Sequence, residues 1–172
     1  MAPPVAEYRT WDLTTTIELN YPVPGHLEHF RKIYINAIGY GVQPLEEGGQ
    51  RTYNYPEGTI IVKELYADLS APESGEEPIA LDVMIKSPQH PAAQRGWLWI
   101  LKNMEPQEER LIDHKFCCDC HTNANEPHPY GDQNPTGSHR DYVFFPPEHT
   151  LVQEPSPPKP SRYPYRSGYS TY

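Results

Sequence analysis

YPEGTIIVKELYA, residues 55–67, reads as a turn followed by a strand. Pro56, Glu57 and Gly58 supply turn chemistry, and TIIVKELYA (59–67) then runs in β-branched and apolar residues. In an extended chain successive side chains point to opposite faces, so Ile61, Lys63 and Leu65 share one face. A lysine between two aliphatic residues lies at a sheet edge, snorkels outward, or points at a partner.

Three more runs have the same character: HFRKIYINA (29–37), PIALDVMIKS (78–87) and GWLWILKN (96–103). Their spacing is too tight for helical crossovers, so the expected architecture is α+β, mainly an antiparallel sheet with a few short helices. Gly48-Gly49 is a further expected turn. PQEERLIDHKFCCDCH (106–121) lacks strand alternation and reads as a short polar helix. The stretch from His121 to His139, rich in Asn, Pro and Gly, reads as a long loop.

The chain of 172 residues is expected to form one domain over 1–150 and an extended Pro/Tyr-rich tail over 151–172. The tail, LVQEPSPPKPSRYPYRSGYSTY, carries three basic residues and one acid, a net +2, against 11 basic and 22 acidic residues, a net −11, in the body. It is either a solvated end or an arm that docks on a neighbouring subunit. The overall charge of −9 argues against nucleic acid and suits a cationic protein partner. No apolar run is long enough to span a membrane, and MAPPVAEYRTW (1–11) does not read as a signal peptide.

All three cysteines fall in FCCDCHTN (116–123). Cys117-x-x-Cys120-His121 is the spacing that attaches a c-type haem. Two thioether bonds join the cysteines to one porphyrin edge, and the next residue, His121, supplies an axial nitrogen to the iron. A structural zinc site wants four ligands, and no second C-x-x-C is present. A thioredoxin-like pair would belong to a parallel sheet, and a disulfide framework needs more cysteines in a smaller chain. Cys118 is expected to face away from the ring. Covalent haem attachment implies a periplasmic or extracellular setting.

YRTW (8–11), RKIYIN (31–36), YPEGTIIVKE (55–64), LDVMIKS (81–87), GWLW (96–99), CCDCH (117–121) and DYVF (141–144) occur in this order. As a set they resemble the cytochrome P-460 family over roughly residues 8–146. The resemblance implies a mainly antiparallel β fold, one covalent haem per chain, commonly a homodimer, and an iron with an open distal side. One branch oxidises hydroxylamine and carries a lysine-to-haem cross-link. The sister branch, cytochrome c′-beta, lacks that link and resembles a nitric-oxide-binding or electron-transfer protein.

Lys63 matches the cross-linking lysine, and a surface lysine is the alternative. Asp82 matches a distal glutamate used for proton relay, one methylene shorter here. It shares a strand face with Ala80 and Met84, and is otherwise a hydrogen-bonded structural acid. Arg31 matches an arginine near the distal pocket, or faces solvent. A second axial ligand from Met84, His26, His29, His90 or Met104 would restrict the protein to electron transfer. Three functions follow: a hydroxylamine-oxidising enzyme, a redox module binding nitric oxide or hydroxylamine, and an electron-transfer or structural subunit docked through its tail.

Overall fold

The computed structural model describes residues 5–16, 18–21, 23, 30–66, 75–113 and 115–147. The tail at 151–172 and the domain limit at 150 lie outside the described residues, as do His26 and His29. Nine strands and two short α-helices occur in the order β1 (Asp12–Leu13), β2 (Leu19–Asn20), β3 (Phe30–Ile35), α1 (Ala37–Tyr40), β4 (Leu45–Glu47), β5 (Gln50–Thr52), β6 (Ile60–Leu65), β7 (Ala80–Lys86), β8 (Trp97–Asn103), β9 (Glu108–Leu111) and α2 (Phe116–His121) among the described residues. Single 3-10 turns cover Tyr8–Thr10 and Thr122–Asn125. The fold is α+β and mainly antiparallel β, as expected. Among the described residues no helix is long and apolar enough to cross a membrane.

The main sheet runs β1-β3-β6-β7-β8-β9, with β2 pairing beside β1 on β3. Its four central strands are the four runs read from sequence. The Gly48-Gly49 turn closes the β4–β5 hairpin, where both residues adopt positive φ (59° and 83°). Such a two-residue loop twists with its strands, and glycine adopts it without steric cost. Thr59 N–H donates to Pro56 O at 3.1 Å, closing the turn that launches β6.

The expected helix over 106–121 is corrected: Glu108–Leu111 forms edge strand β9, and only Phe116–His121 is helical. The exposed edge of β8 supplies backbone partners from Ile100 to Asn103, and that ladder outweighs the local propensity of a charged segment. Charges at Glu108, Glu109 and Arg110 also suit a sheet edge. The long loop begins with the 3-10 turn and is held from within by Asn134. That fully buried side chain bonds Ala124 O, Ser138 O and Ser138 N at 2.9–3.1 Å.

Both faces of the sheet are covered, which explains why its central strands are apolar almost throughout. On one face Ile35, Ile61, Met84, Trp97 and Trp99 pack with Tyr55, Cys118 and Val143. On the other Val62, Leu81, Val83, Ile85, Leu98 and Ile100 pack with Val5 and Tyr8. Glu64 turns to this second face and is 1% exposed. It accepts hydrogen bonds from Tyr8 Oη, Tyr66 Oη and Arg9 Nε, all at 2.7 Å. Burial first, and the carboxylate second, push the Tyr8 and Tyr66 phenols well above their usual range.

Candidate functional site

The first face of the sheet and α2 enclose a cavity of about 660 Å³, within the range of roughly 300–1,000 Å³ common for small-molecule sites. Cys117 and Cys120, three apart on a helical turn, fall on the same side of α2, and His121 follows. All three line the cavity. Cys118, about 100° further round, is buried in the Trp97–Trp99 core and does not line it. Burial pushes all three thiols up. At Cys117, Asp82 adds to that rise and Lys63 opposes it, so both charged groups act on the helix from the facing strands.

Three contacts hold the His121 ring. Its Nδ1 lies 2.8 Å from Tyr142 O. Trp99 meets it edge-on at 4.7 Å between centroids, and Phe144 at 5.2 Å. A carbonyl accepts only, so Nδ1 carries the proton and Nε2 is the basic nitrogen of the ring. This is the arrangement of a metal-binding histidine whose other nitrogen is bonded to the protein.

Opposite α2 the register sets the charged residues. Lys63 on β6 lies directly across from Asp82 on β7, and their Nζ and Oδ2 are 2.9 Å apart. Arg31, on β3, is 4% exposed, lies over the Tyr21 ring at 4.9 Å and donates to Tyr21 O at 2.8 Å. Lys63, Asp82 and Arg31 all line the cavity. Met84 lines it too, whereas Met104 packs on the opposite face and His90 is exposed.

The cavity also takes Trp99, Arg110, Tyr130 and Phe144, none of which the sequence reading placed there. Trp97 and Trp99, two apart on a strand, were legible as a same-face aromatic pair. The Tyr142 carbonyl had no signal, because a backbone acceptor is independent of residue type.

The donor set fits a c-type haem: two thiols on one side of a helix, an oriented imidazole beside them, and an apolar cavity with cationic residues. Among the described residues no group of three or more His, Cys, Asp or Glu could hold a metal ion by itself. The family model for cytochrome P460 matches residues 5–145, and the chain belongs to that family. No curated protein matches the chain significantly.

Proposed function

We propose that this member of the cytochrome P-460 family carries one covalent haem, bound by thioethers from Cys117 and Cys120 and ligated by Nε2 of His121. It works as a redox protein that binds a small nitrogen species, nitric oxide or hydroxylamine, and exchanges electrons with a cationic protein partner. The observation that carries the reading is the Nδ1 contact of His121 with Tyr142 O at 2.8 Å, made by a histidine that lines one cavity with both cysteines. When bound, the haem supplies an iron that takes up a small ligand and cycles one electron.

The chain's own residues do the rest. Arg31, Lys63 and Arg110 set three cations against Asp82 in the cavity lining, which suits a group bearing carboxylates. Trp99 and Phe144 hold the imidazole plane. Asp82, with its side chain 28% exposed, reaches both water and Lys63. In this reading the Asp82 carboxylate takes a proton from a bound nitrogen species and passes it to solvent. Maturation of the thioethers would take place in a periplasmic or extracellular setting.

One observation favours a second reading, the hydroxylamine-oxidising enzyme with a lysine-to-haem cross-link. Lys63 lines the cavity and acts on both cysteine thiols. To make such a bond, Lys63 Nζ would have to leave Asp82.

The test is the intact mass and ferrous visible spectrum of the full chain. Chain plus one haem with an ordinary c-type spectrum supports the first reading. A red-displaced Soret band that returns to normal in Lys63→Met supports the second. Covalent haem surviving in a Cys117→Ala, Cys120→Ala double variant would overturn both.

A further inference from the structure

We propose that Asp141 is a positioning residue for His121, acting through the backbone of Tyr142. This rests on the reading that His121 ligates the iron.

The carbonyl that accepts from His121 belongs to an unusual turn. Asp141 and Tyr142 both have positive φ, 49° and 70°. Neither is glycine, and two successive left-handed residues of this kind persist only where their surroundings over-determine them. The surroundings do so from two sides. The Asp141 carboxylate, buried against the sheet, receives Lys86 Nζ at 2.8 Å on Oδ1 and 2.7 Å on Oδ2. It also receives Trp97 Nε1 at 3.3 Å and Tyr55 N–H at 3.1 Å. From the other side Asn125 Oδ1, in the 3-10 turn continuing α2, accepts from Arg140 N–H at 2.8 Å and Tyr142 N–H at 3.3 Å.

The clamp is built into the sheet. Lys86 lies 4.9 Å from the Trp97 ring centroid, and a Cβ at position 96 would come within 3.3 Å of its Nζ, so Gly96 leaves the lysine its place. The clamped residues lead into the Tyr142–Val143 peptide, whose N–H donates to Arg140 O at 3.0 Å and whose carbonyl, Tyr142 O, faces His121 Nδ1 at 2.8 Å. A firm acceptor at Nδ1 makes Nε2 a stronger donor to a metal. Releasing the clamp lets the carbonyl drift, weakening the iron–histidine bond and favouring the reduced iron.

The experiment compares the haem-loaded full chain with its Asp141→Ala and Lys86→Met variants. The readouts are the iron–histidine stretching band of the ferrous protein and the midpoint potential. Asp141→Ala moves the band to lower frequency and the potential to a more positive value, with unchanged haem mass. Lys86→Met, which keeps the Trp97 and Tyr55 contacts, gives a smaller shift of the same sign and serves if Asp141→Ala does not fold. An unchanged band and potential in a haem-bearing Asp141→Ala or Lys86→Met protein overturns the proposal while leaving the haem reading intact. His121→Ala with a wild-type visible spectrum removes the ligand reading, and this proposal with it.

Discussion

The Lys63–Asp82 pair sits where function and stability meet, and a double-mutant cycle measures it. The variants are Lys63→Met, Asp82→Asn and the double, each in the haem-loaded chain. The side chains are 13% and 28% exposed, so the pair lies between a surface bridge and a buried one. With charge centres about 4 Å apart and an effective dielectric near 20, the gross attraction is about 4 kcal/mol. Desolvation removes most of that, and fully exposed pairs retain only about 0.2–1 kcal/mol. A net coupling of about 1–2 kcal/mol is expected here. The single costs should differ. Lys63→Met leaves Asp82 the wetter group, able to hydrate, at about 1 kcal/mol. Asp82→Asn removes the charge opposite Lys63, the drier of the two groups, at about 2–3 kcal/mol. For a chain of this size that is a fall in Tm of roughly 4–12 °C for Asp82→Asn and roughly 2–4 °C for Lys63→Met. Thermal and urea unfolding check both. A coupling below about 0.3 kcal/mol, or Lys63→Met costing more than Asp82→Asn, refutes the reasoning.

Two further outcomes are expected. A Cβ at Gly39 would overlap Thr59 Cγ2 and lie 2.7 Å from Ile35 Cδ1. Gly39→Ala therefore costs about 1–3 kcal/mol of overpacking against a helix-propensity gain of at most about 1 kcal/mol. A lowered urea midpoint checks it, and a raised one would show the packing of Gly39 on Thr59 and Ile35 to be loose. His128 is buried, and burial first, Arg140 second, hold its pKa below the ordinary 6.5 while Asp132 opposes them. The unfolded chain then takes up a proton that the folded one refuses. This contribution to stability is present above about pH 6.5 and is lost as pH falls from there toward the folded value. His128→Phe flattens that slope in denaturation curves between about pH 7 and about pH 5, and an unchanged slope counts against a buried neutral His128.

The strands were legible because β-branched and aromatic runs end in Gly, Pro or Asn, and a sheet covered on both faces needs apolar residues at nearly every central position. The shared face of Ile61, Lys63 and Leu65 followed from period alone. That Lys63 meets Asp82 did not, because register between strands depends on turns and packing, and several residues separate β6 from β7. Strand β9 was misread because its partner, the edge of β8, is a tertiary fact. The Cys117, Cys120 and His121 spacing could be read from the sequence, and all three residues line one cavity. The clamp around Tyr142 was hidden, since aspartate tolerates left-handed backbone but the tyrosine after it gives no hint of one.

Strand β6 assigns neighbouring residues to different tasks: Lys63 faces the cavity, while Glu64 gathers Tyr8, Tyr66 and Arg9 on the far side. A slip of one residue would exchange the two, driving a carboxylate into the cavity and a lysine against two phenols. Intermediate alignments do not exist, because side chains alternate strictly. The tyrosine pocket behind the sheet and the chamber in front of it are therefore tied to one alignment, and losing either set of contacts means losing both.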